Sequence, residues 1–218
     1  MRPTLLDRET INLYLSDGYW TRATMVGRYE AYARDRSGGL ACQDNHKRYT
    51  WAELHETTDR LAANLIALGL SRDSRALAQM PTSSREIVLR IALKKAGIIG
   101  AYVPVQWRRK ELSYVLDGIE PDLVVLASDE MEANEVDWID DQYANGVGFG
   151  HRIDVASNSR DNWVAWGDLT ARQPCAASLE QILSRRFAYN EVSLITVSSG
   201  TSGLAKLCEW PEAAQVCV

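Results

Sequence analysis

The chain has 218 residues, enough for one large domain, or one and a half small ones, with a real hydrophobic core. Hydrophobic residues make up 46% and charged residues 24%, which argues against wholesale disorder, collagen-like repeats and coiled coil. With 24 Lys and Arg against 29 Asp and Glu, the net charge is −5 and there is no basic tail, so broad electrostatic binding to nucleic acid or anionic lipid is not expected, while a local basic pocket is still allowed.

The four cysteines, Cys42, Cys175, Cys208 and Cys217, form no CxxC pair, and His46, His55 and His151 are scattered. A zinc framework needs clustered ligands, so no metal site is assigned, and reduced thiols are the better reading than a disulfide scaffold. The N-terminal stretch is interrupted by charges and lacks the apolar core of a signal peptide. No stretch approaches the roughly 20 apolar residues that span a bilayer. Together these features predict a cytoplasmic protein without a membrane span.

Residues 1–48 read as a segment packing on the core, with one opening helix anchored by Tyr19, Trp20 and Tyr29. A turn at Ser37-Gly38-Gly39 follows, then a short strand over Leu40–Gln43 with Asp44-Asn45 as a hairpin tip. Residues 49–218 read as an α/β subdomain. Thr50 and Glu53 form a capping box, Leu54, Leu61, Leu65 and Leu68 recur at helical spacing, and Gly69 supplies the stop. A strand is predicted over Arg75–Met80, and a second capping box, Ser83 to Glu86, opens a helix ending at Gly97. Ile98–Val105 is an apolar run rich in β-branched residues, read as a buried strand. The stripe Leu112, Val115, Leu116 and Ile119 predicts a helix over Lys110–Gly118, and Asp122–Ala127 a strand buried on both faces. Asp129–Tyr143 reads as an acidic, solvent-facing helix, followed by a loop at Gly146, Gly148 and Gly150 and a weak strand over His151–Val155. Residues 157–176 read as surface loop, Ser178–Arg186 as a helix and Glu191–Ser198 as a strand. The alternation of strand and helix predicts a layered α/β fold with a mostly parallel sheet flanked by helices.

Directly after the apolar strand, residues 198–206 read Ser-Ser-Gly-Thr-Ser-Gly-Leu-Ala-Lys. Glycine lets a backbone approach an anion and present its N–H groups, hydroxyls add neutral donors, and a lysine adds a point charge. A Ser/Gly/Thr cluster is more often a plain turn; its position after a buried strand and before Lys206 raises phosphate binding above that background. The spacing does not fit the G-x-x-x-x-G-K-S/T phosphate loop.

The stretch resembles the phosphate-binding signature of the adenylate-forming superfamily of AMP-dependent synthetases and ligases, Ser/Thr-Ser-Gly-Ser/Thr-Thr-Gly-x-Pro-Lys. Ser198, Ser199, Gly200, Thr201, Gly203 and Lys206 match, Ser202 replaces a threonine, and Ala205 replaces the proline. The histidine that usually follows the lysine is missing. Two upstream blocks also resemble that superfamily: Tyr49–Leu54 running on to Gly69, and Lys94-Lys95-Ala96-Gly97 followed by Ala101–Val105 and Trp107–Leu116. The resemblance covers about Tyr19 to Lys206 and lies nearest to ligases for aryl and medium-length acyl acids.

The resemblance implies an enzyme that joins a carboxylic acid to AMP with loss of pyrophosphate, then passes the acyl group to coenzyme A or to the phosphopantetheine thiol of a carrier protein. It implies that Ser198, Ser199, Gly200, Thr201, Ser202, Gly203 and Lys206 hold the ATP phosphates, with Mg²⁺ assisting, and that Lys206 steadies pyrophosphate rather than acting as a base. Full-length members of the superfamily are more than twice as long, and their acyl pocket, adenine-binding motif and C-terminal lysine lie beyond Lys206. The expectation is therefore an N-terminal portion that carries no catalytic residue of its own and is inactive alone, with the C-terminal part as its missing partner. The competing reading is a non-catalytic stub that binds nucleotide or a partner protein.

Other residues take structural readings. Lys94 and Lys95 sit at a helix C-terminus, where cations complement the dipole, and are read as structural rather than catalytic, so Lys95→Ala is expected to change the first half-reaction little. Arg108 and Arg109 are read as solvent-exposed, the acidic residues between Asp129 and Asp141 as a solvated face rather than a metal site, and Trp51 and Tyr102 as core. His46 and His55 have no serine or cysteine partner legible in the sequence, and Trp163 and Trp166 are candidates for a partner surface.

Overall fold

The computed structural model describes residues 6–45, 47–146, 149–156, 160–198 and 205–216. Two helices, α1 (Arg8–Ser16) and α2 (Met25–Asp35), replace the single opening helix expected from the sequence. Each has its own cap: Thr10 N donates to Asp7 Oδ1 at 2.8 Å and Gly27 N to Thr24 Oγ1 at 3.1 Å. Trp20 lies in the break between them, buried with Ile11 and Ala213, and Tyr29 packs against the main core, but Tyr19 is largely exposed. Strands β1 (Leu40–Gln43) and β2 (Arg48–Thr50) pair antiparallel about the expected hairpin tip.

Helix α3 (Trp51–Ala67) begins at the predicted capping box, with Thr50 N donating to Glu53 Oε2 at 2.8 Å and Glu53 N to Thr50 Oγ1 at 3.3 Å. Then come β3 (Arg75–Gln79), α4 (Ser84–Ala96), β4 (Ile99–Val103), α5 (Arg109–Ile119) and β5 (Leu123–Leu126). The second capping box is only half made. Ser83 caps α4, but the Glu86 carboxylate turns to Arg90 at 2.7 Å because that guanidinium lies one turn along the same face.

The acidic helix divides into a short 3₁₀ turn (Ser128–Glu130) and α6 (Ala133–Ala144), and Glu135 is buried instead of facing water. Strand β6 (His151–Asp154) pairs with β5 over its whole length. The predicted surface loop contains β7 (Val164–Ala165) and α7 (Trp166–Ala171). Asn64 of α3 donates to the carbonyls of Leu169 at 2.8 Å and Arg172 at 3.0 Å, which draws this stretch onto the core. Trp163 and Trp166 are consequently buried in the two cores, so they offer no partner surface. Helix α8 (Ala176–Arg185) leads to β8 (Val192–Ser198), and β9 (Lys206–Pro211) and α9 (Glu212–Val216) complete the described chain.

The main sheet has the order β7-β6-β5-β3-β4-β8-β9, parallel throughout except for β9 against β8. Its central strands are buried on both faces, and their side chains alternate between two cores. Ala76 and Ala78 of β3 and Leu123 and Val125 of β5 face a layer built on α3, α4 and α8. Leu77, Val124 and Leu126 face α5 and α6, whose predicted stripe of Leu112, Val115, Leu116 and Ile119 is entirely buried.

Lys95 is structural by burial rather than by its place at the end of the helix. Its side chain is fully buried, with the ammonium donating to Asp59 Oδ1 at 2.6 Å and Thr58 Oγ1 at 2.8 Å, and lying 3.1 Å from His55 Nδ1. Burial pushes its pKa down, and the neighbouring Asp59 carboxylate opposes that shift. Lys95→Ala should therefore lower stability by about 3 kcal/mol, since it breaks a largely buried pair, as chemical denaturation would measure. Gly97, after α4, has φ +72°, and a Cβ there would meet Arg185 O at 2.5 Å. Gly97→Ala should cost more than about 1 kcal/mol by the same measurement, because both backbone strain and a backbone clash oppose it.

Candidate functional site

Strand β8 runs parallel to β4, with Gly100 opposite Leu194 and Tyr102 opposite Thr196. Its carboxyl end therefore emerges at the same sheet edge as those of β3, β4 and β5. Open α/β sheets bind ligands at this edge, most often where the chain connections diverge. Here β3 leads through α4 to β4 on one side, while β5 leads through α6 to β6 on the other. A crevice lies at that divergence, lined by Met80, Pro81, Ser83, Arg85, Asp129 and Glu130.

A second cleft lies beside it, at the ends of β3, β4 and β8. Pro81, Pro104, Gln106, Thr196 and Val197 line it, with Arg90 of α4. Arg90 is held over the Tyr102 ring at 3.8 Å and pairs with Glu86. Burial raises the Tyr102 pKa, so the phenol stays protonated. Gln79, buried at the end of β3, donates its amide to the carbonyls of Pro104 at 3.0 Å, Val105 at 3.3 Å and Trp107 at 2.9 Å. One side chain thus shapes the loop that walls this cleft.

The β8–β9 hairpin carries the candidate loop. Ser198 pairs with Lys206 as its last rung; Ser198 is half-buried and Lys206 exposed. The other proposed phosphate-binding residues, Ser199, Gly200, Thr201, Ser202 and Gly203, lie outside the described residues, as do His46, Gly148 and Cys217. Below the loop, Trp210 Nε1 donates to Thr196 Oγ1 at 2.8 Å across the two strands. Leu207 sits in the notch left by Gly118 of α5, where an added Cβ would come within 2.7 Å of its Cδ1.

Comparison with known proteins decides what this arrangement belongs to. The sequence family of AMP-binding enzymes matches residues 29–216. The chain belongs to that family. Among curated relatives, it is 27% identical over 200 residues to pseudomonine synthase PmsE of Pseudomonas entomophila, covering 89% of this chain and 31% of that protein. It is 24% identical over 195 residues to enterobactin synthase component E of Escherichia coli, covering 89% and 34%. The apo structure of MbtA from Mycobacterium smegmatis superimposes with a TM-score of 0.82 at 22% identity, over 98% of this chain and 38% of that one, which establishes the shared fold. This chain spans about a third of the length of the curated relatives it matches.

In this AMP-binding enzyme chain the hairpin is held by a buried carboxylate that no local sequence signal announces. Glu212, at the start of α9, is 1% exposed. It accepts hydrogen bonds from Lys94 Nζ of α4, from Ser193 Oγ of β8 and, at 2.7 Å, from the backbone N–H of Met25 at the start of α2. Lys94 also donates to Ser193 Oγ at 2.6 Å and Gln215 Oε1 at 2.8 Å. Burial lowers the Lys94 pKa, and the Glu212 charge works against that shift. Strand β9 alternates in exposure from Lys206 to Trp210, but its residues do not alternate between polar and apolar, so no period marks this stretch in the sequence.

The remaining candidates fall into structural places. Arg108 and Arg109 are half-exposed and bind the carbonyls of Val105 and Asn134, each at 3.0 Å. The acidic stretch is paired with arginine: Arg108 with Glu132, Arg109 with Glu135, Arg152 with Asp140, and Arg160 with Asp137 and Asp140. Among the described residues no group of three His, Cys, Asp or Glu side chains is placed to hold a metal ion, and no helix is long and apolar enough to cross a membrane.

Breaking one partner of the Lys94–Glu212 pair should be worse than removing both. Lys94→Met and Glu212→Leu are each expected to cost about 3 kcal/mol, and the double variant less than their sum, because each single change strands a buried charge. Equilibrium unfolding of the four-member cycle measures this.

Proposed function

We propose that this chain is the N-terminal part of an ATP-dependent carboxylic acid ligase, and that the loop from Ser198 to Lys206 holds the ATP phosphates. The family match over residues 29–216 carries the reading. Two features of the hairpin support it. The loop leaves the carboxyl edge of a parallel sheet, and Lys206, at its base, is exposed with no ion pair among the described residues. Neutral donors from the Ser and Thr hydroxyls and the glycine amides, together with one lysine, suit the β- and γ-phosphates.

Both reactants are anions, so the protein's work is positioning and charge neutralisation. Ser198 and Lys206 bracket the loop as one antiparallel rung, so the donors at its two ends move together. Lys206 stabilises the charge that gathers on departing pyrophosphate. Bound Mg²⁺ would supply additional neutralisation of the phosphate oxygens. We assign the acyl product to transfer onto coenzyme A or a carrier-protein thiol, and the carboxylate pocket to the part of the ligase beyond this chain.

In the complete enzyme, Lys206→Ala should reduce carboxylate-dependent ATP–pyrophosphate exchange about a hundredfold, the scale of losing one preorganised charge-stabilising donor. Unchanged exchange in that variant would remove the loop from the reaction. The 218 residues alone should show no such exchange.

A further inference from the structure

We infer that the cleft between the β1–β2 hairpin, α3, the start of α4 and α7 is a second anion site, built for a small organic phosphate ester and separate from the Ser198–Lys206 loop. It shares no residue with the β8–β9 hairpin. Lys47, Arg60 and Arg85 line it together with the hydroxyl residues Thr57, Ser84 and Thr170, and no carboxylate is among its described lining residues. In a chain of net charge −5, three cations converging on one cleft run against the average surface.

The donors are largely unspent. Lys47 extends its ammonium over the Tyr49 ring, 4.6 Å from the centroid, and its charge is felt by the exposed Glu53 carboxylate. Arg85 donates one N–H to Val155 O at 2.7 Å, which fixes the guanidinium and leaves its other N–H groups available. It also lines the neighbouring crevice with Asp129 and Glu130, without an ion pair to either. Arg60 is anchored by Thr170 O at 3.1 Å and shared with the outward-facing Glu56. Of the other nearby carboxylates, Asp44 caps the Ser84 amide at 2.7 Å and Glu53 accepts from the Thr50 amide at 2.8 Å.

Ser84 adds a neutral donor. It lines the cleft, its backbone amide is bonded to Asp44, and its hydroxyl makes no hydrogen bond within the described protein. Here it stands at the first position of α4, where the helix dipole favours negative charge. The cleft is open to solvent on one side and offers about 380 Å³, more than a lone phosphate fills.

The test uses the 218-residue chain carrying Lys206→Ala, so that the hairpin loop does not contribute. Calorimetric titration with glucose 6-phosphate at low salt should give saturable one-to-one binding, tighter than inorganic phosphate gives. Adding Lys47→Glu, an exposed position that leaves the core alone, should weaken it by about tenfold or more, and Ser84→Ala by a smaller factor. In amide-resolved NMR the Lys47 and Ser84 signals should move with the titration. Absence of saturable binding, or the same affinity in Lys47→Glu, overturns the site; equal affinity for inorganic phosphate overturns its assignment to an ester. Because the loop lysine is already removed, failure here leaves the reading of the hairpin untouched, and failure of that reading leaves this one standing.

Discussion

Glu212 is the carboxylate on which the candidate site rests. A charge buried at this depth persists only when donors surround it, and here they come from three different elements: α4 through Lys94, β8 through Ser193, and α2 through the Met25 amide. Lys94 needs the carboxylate in turn, because burial lowers the ammonium's pKa and the Glu212 charge opposes that shift. The hairpin that carries the proposed phosphate loop is thereby fastened at its foot to the helical layer, while backbone pairing with β4 fastens it to the sheet.

The sheet edge around the loop is organised by a similar economy of polar groups. Gln79 reaches three carbonyls of the Pro104–Trp107 stretch with one amide, and its Oε1 is left buried without a partner. Arg90, stacked on Tyr102 and paired with Glu86, forms the opposite wall. These groups are set by helices and strands rather than by mobile chain, so the cleft beside the hairpin is shaped before any ligand arrives.

Elements with strong local signals were legible in the sequence. The Thr50–Glu53 box, the leucine stripe of α3, Gly97 after α4 and the stripe of α5 all mark structure through residues a few positions apart. What escaped depends on distant partners. Helix α7 has only six residues and no period to read; Asn64, far upstream, places it. Glu135 looks like one more acid on a solvated helix until Arg109 and the α5 layer bury it. The adjacent lysines Lys94 and Lys95 read as a cationic helix end, yet they point into two separate buried networks, one with Glu212 and one with Asp59. For the candidate site, glycine, hydroxyl and lysine content advertised phosphate chemistry, but the anchoring carboxylate lies beyond β9 and carries no motif.

The parallel pairing of β8 with β4 also bears on how the chain assembles. β3, β4 and β5 are joined by short crossovers and can collapse around α4 and α5 as a local unit. Gly100 meets Leu194 only after the chain has passed through α5, β5, α6, β6, β7, α7 and α8. Closing so long an excursion carries an entropic cost that the early strands do not face. On a ribosome, the central sheet would thus exist with a bare β4 edge for some time, an unpaired strand exposed to wrong partners until β8 is synthesised. Among the described strands, β8 and β9 follow all the others in the chain, so the pair that carries the proposed phosphate loop is also the one that covers the β4 edge.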